Sequence, residues 1–187
     1  NEESISLITD MISQTKQNLV RGGGSFYFLL WGWVVLVANL GHYVMAKFDL
    51  YDAPYVIWMI TIPAFVVSFI YGARNSRNKV IKGHLDRMYG LIWLAIFIAV
   101  IIILGFTLQS GEDLNPIILT FAGLGTFLSG NLLRFKPLIL GGISLWIASV
   151  IAFNISPVDQ YLAGTLGILA GYLVPGYLLR KIENEQF

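Results

Sequence analysis

Residues 89–108, from Tyr89 to Leu108, read YGLIWLAIFIAVIIILGFTL and contain no charged side chain. An α-helix rises about 1.5 Å per residue, so these residues make a helix about 30 Å long, the thickness of the hydrocarbon core of a bilayer. The stretch before them carries one acid, Asp86, and five cations: Arg74, Arg77, Lys79, Lys82 and Arg87. Short loops rich in Lys and Arg stay on the cytoplasmic side of a membrane. The two stretches together predict a transmembrane helix that begins at the cytoplasmic face.

The composition of the whole chain supports a membrane environment. Of its 187 residues 56% are hydrophobic and only 12% are charged, and its mean hydropathy is +0.71. A soluble domain has about a quarter of its residues charged. The formal net charge of +1 gives no reason to expect a nucleic-acid partner. The chain has no cysteine, which excludes disulfides and thiol catalysis. The composition therefore predicts an integral membrane protein.

Apolar runs separated by short polar intervals predict an all-α protein with six transmembrane helices. The six-helix domain covers residues 25–179, and residues 180–187 are predicted to form a cytoplasmic tail. Pro63 and Pro175 fall within the second and sixth spans and predict kinks, because proline removes a backbone hydrogen bond. The predicted spans are approximately 25–46, 53–72, 89–108, 116–133, 138–155 and 161–179.

Residues 1–24 predict a cytoplasmic amphipathic helix followed by a glycine hinge. At 100° per residue Ile5, Ile8, Met11, Ile12 and Leu19 fall on one side of this helix. A helix that binds lipid headgroups is rich in Lys and Arg on its polar side, whereas this one has Lys16 against Glu2, Glu3 and Asp10. We therefore expect it to pack on the cytoplasmic face of the protein or on a partner.

The distribution of cations predicts the orientation. With the N-terminus in the cytoplasm, 11 of the 12 basic residues lie in cytoplasmic segments, and only Lys47 lies outside. The outer loops carry the acids Asp49, Asp52, Glu112, Asp113 and Asp159. By the positive-inside rule the N- and C-termini are both cytoplasmic.

Two short motifs recur along the chain. Leu30-Trp31-(x)3-Val35-(x)3-Asn39 in the first span recurs as Leu145-Trp146-(x)3-Val150-(x)3-Asn154 in the fifth, and Ile92-Trp93 in the third begins in the same way. The fourth and sixth spans share Gly-(x)4-Gly-x-Leu-Leu-Arg, ending at Arg134 and Arg180. One interpretation is a pseudo-repeat of three parallel hairpins around a central axis. The other is that Trp, Gly and Arg recur wherever membrane helices meet an interface.

The predicted spans contain no Asp, Glu, Lys or Arg. Proton relays, ion-coupled transporters and intramembrane hydrolases keep an ionisable group within the membrane. The sequence also has no HExxH motif, paired-carboxylate metal site or phosphate-binding glycine loop. We therefore predict a non-enzymatic protein with no metal site and no cofactor.

Two groups of residues are candidate contacts. The first is a ligand pocket open to the outside and formed by Asn39, His42, Trp58, Trp146 and Asn154, with polar groups among aromatic walls. The alternative is that these polar groups only hydrogen-bond across helices and the deep tryptophans fill the core. The second group is the basic loop, where the cations given above are predicted to contact anionic lipid headgroups or a protein partner.

The stretch Leu29-Leu30-Trp31-Gly32-Trp33, after a polar leader, resembles small six-span bacterial inner-membrane proteins of unassigned function. That resemblance implies the bacterial inner (plasma) membrane as the location. In size and topology the chain is also similar to the substrate-binding subunits of energy-coupling-factor transporters. Those subunits carry an Ala-x-x-x-Ala motif in the first span, whereas here Ala38 is followed four residues later by His42. The second similarity is therefore architectural only.

Two functional hypotheses follow from the sequence. The first is an accessory, regulatory or assembly protein that contacts a protein partner, or a second copy of itself, through its cytoplasmic face. The second is a small-molecule binding or transport protein with the outward-facing pocket.

Overall fold

The computed structural model describes residues 24–78, 84–107 and 114–185, without the side chains of 75–78, 84–86 and 107. The predicted amphipathic helix (1–23), Lys79 and Lys82 lie outside these residues, as does the side chain of Arg77. The described part of the chain is helical and has no strand. Its elements are α1 (Gly24–Lys47), a 3₁₀-helix (Pro54–Ile60), α2 (Thr61–Asn78), α3 (His84–Thr107), α4 (Leu114–Leu132), α5 (Lys136–Ala152) and α6 (Asp159–Glu185).

Among the described residues four helices are long and apolar enough to cross a membrane, so the predicted number of six is wrong. These four are Gly24–Lys47, Pro54–Arg74, Arg87–Phe106 and Asp159–Glu185. The predicted fourth and fifth spans are helices α4 and α5, and within the described ranges neither qualifies. Helix α5 has 17 residues, which span about 25 Å. Helix α4 has 19 residues, but Asn115, Asn131 and its glycines lower its hydropathy.

Helices α1, α4, α5 and α6 form the core of the bundle, and α2 and α3 pack on its flank. In the most apolar window of α6 56% of the residues are buried, against 6% in α2 and in α3. The core contains Phe28 from α1, Leu119 from α4, and Leu138 and Leu145 from α5. In the absence of a bilayer, α2 and α3 therefore present long rows of exposed apolar side chains.

Helices α5 and α6 cross at two glycines in close backbone contact. A Cβ added at Gly141 would lie 2.7 Å from the carbonyl oxygen of Gly171. The crossing lies beside a π-helical segment, Leu169–Leu173, in which the Val174 N–H donates to the carbonyl of Leu169. Pro175 accounts for this segment, because proline has no N–H and its ring clashes with the carbonyl four residues earlier. The predicted interruption of the last helix is thus a π segment.

Pro63 lies at a less disruptive position than the sequence predicted. The second candidate span begins as the 3₁₀-helix and becomes α-helical at Thr61. Pro63 is therefore in the first turn of α2, where a missing N–H costs little. The Thr61 hydroxyl donates to the Trp58 carbonyl at 2.7 Å, which stabilises the transition.

Two of the three predicted hairpins contain the same kind of hydrogen bond, from a tryptophan in the first helix to a serine in the second. Trp31 Nε1 in α1 donates to Ser68 Oγ in α2 at 3.0 Å, and Trp93 Nε1 in α3 donates to Ser129 Oγ in α4 at 3.1 Å. In the third hairpin Trp146 instead donates back to the carbonyl of Thr120. The first two hairpins therefore favour the repeat, and the three-hairpin arrangement stays a prediction.

Contacts between distant residues define the two ends of the bundle. Ser25 at the start of α1 meets Glu183 near the end of α6, and Phe26 stacks on Tyr71 of α2. At the opposite end Lys47 pairs with Asp159. We call these the Arg74 end and the Lys47 end. The start of α1 and the finish of α6 thus lie together at the Arg74 end.

Candidate functional site

At the Lys47 end three aromatic side chains join three elements. Trp58 Nε1 donates to His42 Nδ1 at 3.2 Å, so His42 acts as an acceptor through that nitrogen. The His42 ring stacks on Tyr161 of α6, with centroids 3.7 Å apart and planes 15° apart. The cluster connects α1 and the 3₁₀-helix to α6, and the rings of His42 and Tyr161 cover each other's stacked faces.

An ion pair closes the same end of the bundle. Lys47 Nζ lies 3.2 Å from Asp159 Oδ1, and the two side chains are 48% and 38% exposed. The Ser156 hydroxyl donates to the other carboxylate oxygen of Asp159 at 2.7 Å. Partly exposed pairs contribute about 0.2–1 kcal/mol, so this contact positions the helix ends more than it stabilises them.

Asn39 lies deeper than the aromatic cluster and bonds to a residue that the sequence prediction had left out. Asn115 Nδ2 of α4 donates to Asn39 Oδ1 at 2.7 Å, and Asn39 Nδ2 donates to the Val35 carbonyl at 2.9 Å. Both asparagines are buried. Their amide oxygens lie close to Gly164, where an added Cβ would be 2.7 Å from Asn39 Oδ1. The pair therefore links α1 and α4 against α6.

The remaining two residues of the predicted pocket lie in other contacts. Trp146 packs against Phe127, with centroids 5.1 Å apart, and donates to the Thr120 carbonyl at 3.1 Å. Asn154 lies in the turn after α5, is exposed, and donates to the carbonyl of Val150 in that helix at 2.7 Å. The five predicted residues thus divide among an aromatic cluster, a buried amide pair, the α4–α5 contact and an exposed helix end. That they bind a ligand stays a prediction.

A buried carboxylate at the Arg74 end was missed by the sequence interpretation. Glu183 is 9% exposed; its Oε1 accepts the Ser25 N–H at 3.1 Å, and its Oε2 accepts the Ser25 hydroxyl. A carboxylate favours a helix N-terminus because the unpaired N–H groups there carry partial positive charge. The sequence had placed residues 180–187 in a tail, whereas α6 is helical to Glu185. The signal available was the four-residue spacing from Leu179 to Glu183, which puts both on one helix face.

Two open grooves lie at the Arg74 end. One, of about 430 Å³, runs along the last turns of α6 between Tyr177 and Glu185 and includes two cations, Arg180 and Lys181. The other, of about 290 Å³, lies between α1 and α2 and ends at Arg74. Arg74 and Arg87, the two described side chains of the predicted basic loop, are both exposed.

In the described residues the arrangement defines an all-helical protein with four helices suited to a membrane and with buried polar groups that form hydrogen bonds between helices. Within the described ranges no group of three His, Cys, Asp or Glu side chains could hold a metal ion. Neither a protein-family model, nor a curated protein, nor a solved structure matches the chain.

Proposed function

We propose that this chain is an integral protein of the bacterial inner membrane with cytoplasmic N- and C-termini. We further propose that it acts without catalysis as an accessory, regulatory or assembly factor. Its cytoplasmic contact surface consists of the leader 1–24, the basic loop and the Arg74 end of the bundle. A protein partner or a second copy of the chain binds there.

The main support for a scaffold, rather than a ligand-binding protein, is that the polar side chains of the bundle form hydrogen bonds between its elements. Each of the five tryptophans donates its indole N–H to another element of the fold. The five acceptors are Ser68, Tyr177, His42, Ser129 and the carbonyl of Thr120. Within the described part of the chain every buried side-chain nitrogen or oxygen has a hydrogen-bond partner. These groups hold helices together, while the two grooves lie at the Arg74 end.

The proposed orientation does not depend on whether α4 and α5 cross the membrane. The two helices form a hairpin joined by a short turn that contains Arg134, so they contribute either two crossings or none. In both cases the number of crossings is even. The contact between Ser25 and Glu183 places the start of α1 beside the end of α6, as this topology requires.

The orientation can be tested with single cysteines, because the chain contains none. We expect Asp49→Cys to react with a membrane-impermeant maleimide in spheroplasts, and Lys181→Cys to react only after permeabilisation. Labelling of Lys181→Cys in sealed spheroplasts would refute the proposed topology.

The partner-binding role can be tested by photo-crosslinking in living cells. A photoreactive amino acid at Lys181, whose side chain is 74% exposed, is expected to give a discrete protein adduct. The matched control is the same substitution at Leu50, which is 65% exposed in the loop beyond the Lys47 end. Adducts from Leu50 alone, or from neither site, would contradict a cytoplasmic contact surface.

A second candidate function is binding or transport of a small molecule. It is supported by the His42 cluster and by the π-helical segment of α6, since such segments are frequent at functional sites. A ligand of that cluster should raise the thermal midpoint of the wild type and not that of His42→Ala. A compound library that shifts neither protein would remove the support for this candidate.

A further inference from the structure

The groove between α1 and α2 is lined by apolar side chains and a single cation. Its lining consists of Phe26 from α1 and Val67, Ile70, Tyr71 and Arg74 from α2. Val67, Ile70 and Arg74 are spaced three and four residues apart, so they follow one face of the helix. At about 1.5 Å per residue the strip from Val67 to Arg74 is about 10 Å long. The groove is thus apolar along its length and carries a positive charge at one end.

Aromatic contacts hold this groove open. Phe26 stacks on Tyr71, with centroids 3.8 Å apart and planes 17° apart, and Tyr27 meets Tyr71 edge-on at 5.6 Å. Gly72 fits beneath Tyr27, where a Cβ would lie 2.9 Å from the tyrosine hydroxyl. Deeper in the bundle, Trp31 bonds Ser68 across the same two helices. The groove is therefore preformed by the packing of α1 on α2.

The position of the groove indicates what fills it. Val67 and Ile70 are 43% and 47% exposed within the candidate span Pro54–Arg74, so they face hydrocarbon in a membrane. Arg74 is the last residue of that span, and a long cationic side chain at such a position reaches into the headgroup region. An arginine fork matches the geometry of a phosphate better than an ammonium does.

We propose that this groove binds an anionic phospholipid of the cytoplasmic leaflet. One acyl chain lies along Val67 and Ile70 against the Phe26–Tyr71 stack, and the guanidinium of Arg74 pairs with the phosphate. The inference rests on the proposed function, because it needs Arg74 at the cytoplasmic face. It goes beyond a general attraction of the basic loop for lipid, because it predicts that a single lipid binds in one groove and pairs with one cation, Arg74.

The test measures lipid retained by the purified full-length protein. The protein is equilibrated with phosphatidylglycerol or phosphatidylcholine in detergent, and bound lipid is counted by native mass spectrometry. We expect Arg74→Gln to weaken phosphatidylglycerol binding about tenfold, the contribution of one charge-assisted hydrogen bond. Lys136→Gln is the matched control, because it removes one positive charge from an exposed position at the start of α5, outside the groove. It should bind as the wild type does.

A second variant tests the apolar part of the site without changing its charge. Ile70 is exposed in the groove, so the larger side chain of Ile70→Trp should fill the groove. This variant should retain less phosphatidylglycerol although the Arg74 charge remains. Circular dichroism and the thermal midpoint establish that each variant is folded. Wild-type retention by a folded Ile70→Trp would overturn the proposed acyl-chain site.

Three further outcomes would also overturn the proposal. Equal losses in Arg74→Gln and Lys136→Gln would show that only the summed positive charge of the protein attracts lipid. Equal retention of phosphatidylcholine would remove the role of the arginine. A gain of bound lipid on deleting residues 1–20 would show that the leader occupies the groove. Because the maleimide labelling of Asp49→Cys and Lys181→Cys is independent of lipid, it separates these failures from failure of the proposed function.

Discussion

The crossing of α5 and α6 allows a test with a single methyl group. Substituting Gly141→Ala places a Cβ 2.7 Å from the Gly171 carbonyl oxygen and 3.2 Å from Pro175 Cγ. The nearer atom belongs to the backbone, so rotation of a side chain cannot relieve the contact. The two helices must move apart by 0.7 Å to reach 3.4 Å, the lower limit of ordinary contact (3.4 − 2.7).

The size of the effect follows from two opposing terms. Replacing glycine by alanine within a helix normally stabilises it by about 0.5–1 kcal/mol. A gap of 0.5–1 Å between packed surfaces forfeits about a quarter to a half of each dispersion contact, and overpacking costs about 1–3 kcal/mol. Gly105→Ala in α3 gives the first term alone, because an added Cβ there meets nothing within 4 Å. The difference between the two variants should therefore be about 1–3 kcal/mol.

The assay is equilibrium unfolding of the purified protein in detergent micelles, followed by circular dichroism. We expect Gly105→Ala to unfold at or above the wild-type denaturant midpoint and Gly141→Ala clearly below it, with similar slopes. If both variants unfold at the same denaturant concentration, α5 and α6 do not approach as closely as the structure shows.

Four further substitutions, in three experiments, probe the polar contacts. A double-mutant cycle of Asn39→Ala and Asn115→Ala should give a coupling free energy of about 0.6 kcal/mol, and at most about 1.7 kcal/mol, as measured for hydrogen bonds between membrane helices. Glu183→Gln should lower the free energy of unfolding by about 1 kcal/mol, because the neutral amide is a weaker acceptor at the N-terminus of α1. Lys47→Ala should lower the denaturant midpoint only slightly by removing the exposed ion pair with Asp159, and high salt should reduce that effect.

Each of these substitutions has a control. Asn154→Ala removes an exposed amide whose hydrogen bond is to Val150, four residues earlier, so it should not couple to Asn39. Glu185→Gln removes the same charge as Glu183→Gln from an exposed position and should leave the midpoint unchanged. Equal effects of the two glutamate variants would show that burial against Ser25 is irrelevant. A Lys47→Ala effect that persists in molar salt would argue against the ion pair.

The positions of the helices could be predicted from the sequence, because apolar runs in this chain are separated by short polar intervals. The predicted second and third spans, 53–72 and 89–108, correspond to the candidate spans Pro54–Arg74 and Arg87–Phe106. The number of helices able to cross a membrane was predicted less accurately. Asn115 and the glycines of α4 lie within a run that is otherwise apolar in the linear sequence, yet they lower the hydropathy of the helix that contains them.

The candidate site was harder to predict, because side-chain partners depend on how the helices rotate and cross. Asn39 and Asn154 have matching places in the repeated motif, but the first bonds to Asn115 in the core and the second is exposed. Trp58 reaches His42 because the 3₁₀-helix folds back beside α1, which periodicity does not reveal. Glu183 was assigned to a tail because it follows the last apolar run, and its partner Ser25 is 158 residues away in the sequence.

That separation has a consequence for the order in which the protein is made. Translation proceeds at about 5–20 residues per second, so roughly 10–30 s pass between synthesis of the start of α1 and synthesis of its carboxylate cap. During this interval the first helix must enter the membrane with its leading N–H groups bonded to water or headgroups. The last helix then makes the final contact at the Arg74 end. A chain whose synthesis stalls before residue 183 therefore lacks the carboxylate that bonds the first turn of α1.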